Sequence, residues 1–112
     1  MVKLTDLHCE ACEGGLPGLS VAEIDALLPE VPGWQVMKRG DVKRLERMFR
    51  FEDFVQAMEF TMAVGELAET ERHHPTLLVE WGRVVVTWWT HSIGGLHQND
   101  FIMAAKTDRL YG

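Results

Sequence analysis

The spacing of apolar positions along the chain shifts repeatedly between helical and strand periods, and each shift marks an element. Ser20-Val21-Ala22-Glu23 has the residue types of a capping box, and Ile24, Leu27 and Leu28 form an apolar stripe behind it. Pro29 and Pro32 end that short helix. Trp34-Gln35-Val36-Met37 alternates, and Arg39-Gly40-Asp41 reads as a turn. Val42, Leu45 and Phe49, with Met48 and Phe51, then predict a second strand paired with the first in a hairpin. From Glu52 to about Arg72 the period is helical: Phe51, Phe54, Val55, Met58, Met62 and Gly65 share one side, while Glu52, Gln56, Glu59, Glu66 and Thr70 fall largely elsewhere. Pro75 disfavours helix at His74, so this helix should release the chain at the His-His pair. Thr76–Trp81 and Arg83–Thr90 predict two more strands around Gly82, the second carrying the β-branched and aromatic run Val84-Val85-Val86-Thr87-Trp88-Trp89-Thr90. Gly94-Gly95 breaks the pattern, and a last helix runs from about Leu96 to Leu110. The order α-β-β-α-β-β-α, with no internal repeat, predicts an α+β fold with helices on one face of an antiparallel sheet.

Length and charge narrow the function. The 112 residues suit one domain, read here as residues 20–112 behind a loose polar arm, 1–19, that includes Glu13-Gly14-Gly15-Leu16-Pro17-Gly18. Eleven basic against seventeen acidic residues give a net charge of −6, which argues against nucleic acid and against an anionic membrane surface. No apolar run approaches the roughly 20 residues that span a bilayer. Met1 to Gly18 lacks the apolar stretch of a signal peptide, and two Cys make no disulfide framework, so a cytoplasmic protein is expected.

Candidate chemistry gathers around the second hairpin. His73 lies nine residues before Gly82 and His91 nine after it, with His74 adjacent to the first. Antiparallel pairing about Gly82 brings these to the open end of the hairpin, where opposed Cβ atoms lie about 4.5–5.5 Å apart. Glu69 precedes His73 by four, which puts a carboxylate on the same helical face, placed to orient an imidazole or favour its protonated form. Convergent imidazoles suit acid–base work near neutral pH. Isolated His residues near strand ends are more often structural or solvated. Three His also match a zinc ligand set, although adjacent side chains splay apart in extended backbone, which makes His73 and His74 an awkward chelating pair.

Taken together, Glu69-Thr70-Glu71-Arg72-His73-His74-Pro75, Trp81-Gly82-Arg83-Val84, Thr90-His91, Gly95-Leu96 and Asp100 resemble the signature of the pterin-4a-carbinolamine dehydratases. The order of elements agrees from about Ser20 to Leu110, with Trp34 after the first helix and the Phe49/Phe51 pair before the second. The resemblance implies a four-stranded antiparallel sheet with helices on one side, assembled as a homodimer or homotetramer. It implies a cofactor-free hydro-lyase, without a metal, that dehydrates 4a-hydroxytetrahydropterin to quinonoid dihydropterin, linked to phenylalanine hydroxylase and other aromatic amino-acid hydroxylases. The family's catalytic histidines fall on His73, His74 and His91, and its supporting acid on Glu69. Its substrate-contacting segments fall on Arg72–His74 and on Trp89, Thr90, His91 and Ser92, and a further family acid falls on Asp100. Members of the family in animals also act as dimerisation cofactors of a transcription factor, so a non-catalytic partner-binding module is the alternative. The chain departs from the pattern at Arg72, where Asp or Asn is frequent, at Leu77, in place of an aromatic residue, and at Trp81, in place of Tyr.

Several features lie outside that pattern. Cys9 and Cys12 form a C-x-x-C that is half a zinc site and is not placed after a strand. Trp88 and Trp89 should point to opposite faces, one into the core and the other toward the site or a subunit contact. His97 reads as an exposed first-turn residue, and Gly94-Gly95 as a tight strand-to-helix turn.

Overall fold

Both hairpins form, and they lie side by side in one sheet. The computed structural model describes residues 3–9 and 18–112. Strands β1 (Gln35–Arg39), β2 (Val42–Arg50), β3 (Thr76–Glu80) and β4 (Arg83–Trp88) make a four-stranded antiparallel sheet in the order β1-β2-β4-β3. Helices α1 (Val21–Leu27), α2 (Phe54–Glu71) and α3 (Gln98–Tyr111) complete the expected α+β order. Pairing of β2 with β4 joins the hairpins, and alternate residues of those strands turn inward: Leu45 and Phe49 from β2, Val84, Val86 and Trp88 from β4. Ring contacts of Phe49 with Trp34, Phe60 and Tyr111 extend this core to the last turn of α3.

Capping explains where the helices start. Ser20 accepts from the Glu23 N–H while Glu23 returns a bond to the Ser20 N–H, which completes the box read from sequence. Asp53 caps α2 through the Gln56 N–H. Helix α2 buries a different stripe from the expected one: Ala57, Phe60, Val64 and Ala68 face the core, whereas Phe54, Val55, Met58 and Met62 are exposed. Two apolar stripes compete on this helix. The one rich in Ala allows close approach to the sheet, and the one rich in Met is left on the surface.

The arm is partly docked. Leu4 is buried in the core, and the Leu19 N–H donates to the Leu96 carbonyl. Cys12 and the Gly14-Gly15 stretch lie outside the described residues. Among the described residues no helix is long and apolar enough to cross a membrane.

Candidate active site

The site is built where α2 ends, β4 ends and α3 begins. Helix α2 stops because Arg72 takes the left-handed conformation, φ 55°, with its N–H on the carbonyls of Ala68 and Glu69. That reversal takes the next two residues off the helix. His73 goes inward and His74 outward. Glu69, expected beside His73 at helical spacing, therefore meets Nε2 of His74 in an exposed ion pair. Helical spacing from Glu69 reaches His73 only if the helix runs two residues past Glu71, where it ends.

His73 finds a different carboxylate. Its Nε2 lies 2.6 Å from Oδ1 of Asp100, and its ring stacks on the buried Trp88 at 5.7 Å between centroids and 9° between planes. Asp100 is fully buried (0% exposed). Its other oxygen accepts from the Thr90 hydroxyl at 2.9 Å and from the His97 N–H at 2.9 Å. A buried carboxyl group is tolerated only when such partners surround it. Both oxygens are occupied, so Asp100 acts by holding His73, with Thr90 as the brace. His97 is not an exposed first-turn residue: it is the half-buried N-cap of α3, and its Nδ1 accepts from the Asn99 N–H at 3.0 Å.

The hairpin turns at Trp81-Gly82, with Glu80 opposite Arg83 and Thr76 opposite Thr87. Continued past Pro75, that register sets His73 across from Thr90 and leaves His91 one residue further out. Thr90 also organises the segment after β4: its N–H donates to the Gly95 carbonyl, and its carbonyl accepts from Ile93, Gly94 and Gly95. Gly94 supplies the φ of +70° that this tight loop requires. His91 and Ser92 are exposed on the loop. The His91 ring lies on Trp89 at 4.3 Å and 26°, and the Arg44 guanidinium sits over the same indole at 4.0 Å. The Trp pair divides as expected, with Trp88 in the core under His73 and Trp89 outward under His91.

Two residues near the site have no signal in the sequence. Arg44 reaches it only through the β2–β4 pairing. Glu71, beside Arg72, is a buried carboxylate (side chain 5% exposed) held by His8 Nδ1 at 2.9 Å, the Cys9 N–H at 2.9 Å and Lys106 Nζ at 3.4 Å. Burial pushes its pKa up, but the Cys9 N–H, His8 and Lys106 outweigh burial and hold it below the usual carboxylate value. Its partners come from the arm and from α3, so the start of the arm is fastened beside the His pair. Among the described residues no three His, Cys, Asp or Glu side chains are grouped to hold a metal ion.

The sequence pattern of the family described as Pterin 4 alpha carbinolamine dehydratase matches residues 17–110. The chain belongs to the pterin-4a-carbinolamine dehydratase family. A relative from Gloeobacter violaceus, named "Putative pterin-4-alpha-carbinolamine dehydratase 1", is 52% identical over 109 residues, covering 97% of this chain and 94% of its own. The crystal structure of a transcriptional coactivator/pterin dehydratase from Brucella melitensis superposes with a TM-score of 0.77 at 34% identity, covering 85% of this chain and 99% of that one. A pterin dehydratase-like protein described as a RuBisCO assembly factor in the alpha-carboxysome shares the fold, with a TM-score of 0.61 at 22% identity over 71% of this chain and 90% of that one. Membership makes this pterin dehydratase a hydro-lyase. The matched span contains Glu69, Arg72, the three histidines, Trp89, Thr90, Ser92 and Asp100, whereas the Glu71 partners His8 and Cys9 lie before it.

Proposed function

We propose that this dehydratase converts 4a-hydroxytetrahydropterin to quinonoid dihydropterin by proton transfer among His73, His74 and His91. The observation that carries the reading is the fully buried Asp100, tied to His73 on one oxygen and to Thr90 on the other, next to a second imidazole paired with Glu69. A base oriented by a carboxylate, itself held by a third group, is the arrangement that general acid–base work requires. In the reaction the C4a–O bond breaks as a donor protonates the leaving hydroxyl, which departs as water. The lone pair of the adjacent ring nitrogen forms the new C=N bond, and a base takes the ring N–H proton. Electrons stay within the substrate, so the chemistry needs acids and bases and no oxidant. Positioned groups of this kind contribute about 10²–10⁴-fold. Arg72, Trp89 and Ser92 border the imidazoles and are the proposed contacts for the pterin, with Asp100 and Thr90 contributing from behind.

The same reading places the enzyme in the cytoplasm, recycling the cofactor of aromatic amino-acid hydroxylases such as phenylalanine hydroxylase. It also makes the protein a homodimer or homotetramer. The exposed stripe of Phe54, Val55, Met58 and Met62 and the outer edges of β1 and β3, which pair with no further strand among the described residues, support assembly. The exposed stripe, with the coactivator half of the Brucella protein's name, also supports a second reading: a partner-binding module on the same fold. One assay separates the two. Chemically generated 4a-hydroxytetrahydropterin is followed by absorbance with wild type and His91→Ala. Turnover at least 100-fold above the spontaneous rate, lost in the variant, is expected. A wild-type rate equal to the spontaneous one rules out the enzyme.

A further inference from the structure

The outer face of the sheet carries a cation that the reaction above does not use. Val84, Val86 and Trp88 turn into the core, so the outer face of β4 presents Val85, Thr87 and then Trp89 beyond its end. The β2–β4 register, Leu45 opposite Trp88, continues to set Arg44 across from Trp89. The guanidinium lies over the indole, and His91 packs on the same ring from further along the chain. Arg44, Trp89 and His91 thus form one stacked row, with a permanent positive charge at one end and an exposed imidazole of the proposed site at the other.

One oxygen of the carboxylate next along this face is already in use. Glu46, two residues along the same face, accepts from Arg39 at 2.9 Å and from the Thr87 hydroxyl at 2.8 Å. Among the described residues no carboxylate pairs with Arg44 and no acceptor meets its buried Nε. A guanidinium over an aromatic ring makes no hydrogen bonds through its face, and its donor edge matches a carboxylate or phosphate with two parallel bonds. In a chain of net charge −6, an anion is held best where a cation is placed for it.

We propose that Arg44 docks an anionic group on the side chain of the pterin, so that the substrate class of this enzyme is a 4a-hydroxytetrahydropterin with an acidic tail. The proposal rests on the dehydratase reading for where the ring lies. The ring is worked on beside His91, and the tail runs along the outer face past Trp89 to the guanidinium. Arg44 then sets which pterin is used without entering the proton transfers.

The test compares two carbinolamines that differ at the tail, one ending in a neutral diol and one of the same length ending in phosphate, with wild type, Arg44→Gln and Arg44→Lys. The readout is the ratio of the two KM values at low salt. Wild type should favour the phosphate tail by about tenfold or more, as a charge-assisted bidentate contact warrants. Arg44→Gln should bring the ratio near one, and Arg44→Lys should fall between, having charge without the planar fork. A wild-type ratio near one, or a ratio that Arg44→Gln leaves intact, overturns the proposal, and the second result would make Arg44 only a support for Trp89. If neither compound turns over, the dehydratase reading has failed separately. Calorimetric binding of the two matching tetrahydropterins then decides the role of Arg44, with a phosphate preference lost in Arg44→Gln supporting it and equal affinities refuting it.

Discussion

Replacing Asp100 by Asn changes charge and almost no volume, at a carboxylate with no exposure and three donors: His73, the Thr90 hydroxyl and the His97 N–H. An amide has one acceptor oxygen. If that oxygen keeps Thr90 and His97, its NH2 faces Nε2 of His73, which must then present a lone pair and carry its proton on Nδ1. If the oxygen turns to His73, the NH2 meets the His97 N–H, donor against donor, and the cap of α3 loses the half that residue 100 supplies. The first arrangement costs less, so the variant should fold with the wrong His73 tautomer. The lost charge-assisted bond corresponds to about 1.5–3 kcal/mol. Felt in the transition state, that is about 10–150-fold in kcat, at 1.36 kcal/mol per factor of ten. The assay is the absorbance of quinonoid dihydropterin formation, with calorimetric melts and nitrogen chemical shifts of the His73 ring as companions. Wild-type kcat together with an unchanged His73 tautomer would refute the claim that Asp100 governs His73. Thr90→Val, which deletes only the brace, should lower kcat less than Asp100→Asn does.

Other predictions follow from the remaining contacts. Glu69→Gln breaks an exposed pair, and exposed pairs contribute about 0–1 kcal/mol, so kcat should fall by no more than about fivefold, and by less at high salt; a hundredfold loss in a pH–rate series would mean that Glu69 touches the substrate. Glu71→Gln should cost about 1.5–3 kcal/mol at pH 7, read from urea unfolding. The folded Glu71 carboxyl titrates below its ordinary 4.5, so this contribution is present above pH 4.5 and is lost as pH falls through the lower folded value. The variant and wild type should therefore converge in stability in that acid range, and a gap that persists there would contradict the assignment. Sedimentation at micromolar concentration should give at least twice the chain mass of 12.8 kDa, and Met62→Glu on the exposed face of α2 should lower it; a wild-type mass of one chain counts against assembly.

Period and punctuation carried most of the fold. The capping box at Ser20, the turns at Gly40 and Gly82 and the stop at Pro75 are local signals, and every element they bound is present. What the chain did not announce is set by approach across the molecule. Which stripe of α2 is buried depends on how near the sheet can come, and that favours Ala57 and Ala68 over the larger Met58 and Met62. The pairing of β2 with β4 joins residues some forty positions apart and alone brings Arg44 to Trp89. The candidate site is proposed as a set of residues whose types and spacing match a signature. Its partnerships were not legible in the sequence: the left-handed Arg72 sends Glu69 to His74 and frees His73 for Asp100.

The family's span and this chain's folding unit have different edges. An expression fragment cut at residues 17 and 110 would keep every residue of the signature. It would also remove Leu4 from the core, the Cys9 N–H and His8 from Glu71, and the Tyr111 ring from its contacts with Phe49, Phe51 and Phe60. Such a fragment starts with a hole where Leu4 sat, aromatic rings uncovered at the other end and a carboxylate stripped of two donors. Transplants and minimal versions of this enzyme are best drawn from its contacts, with both tails retained.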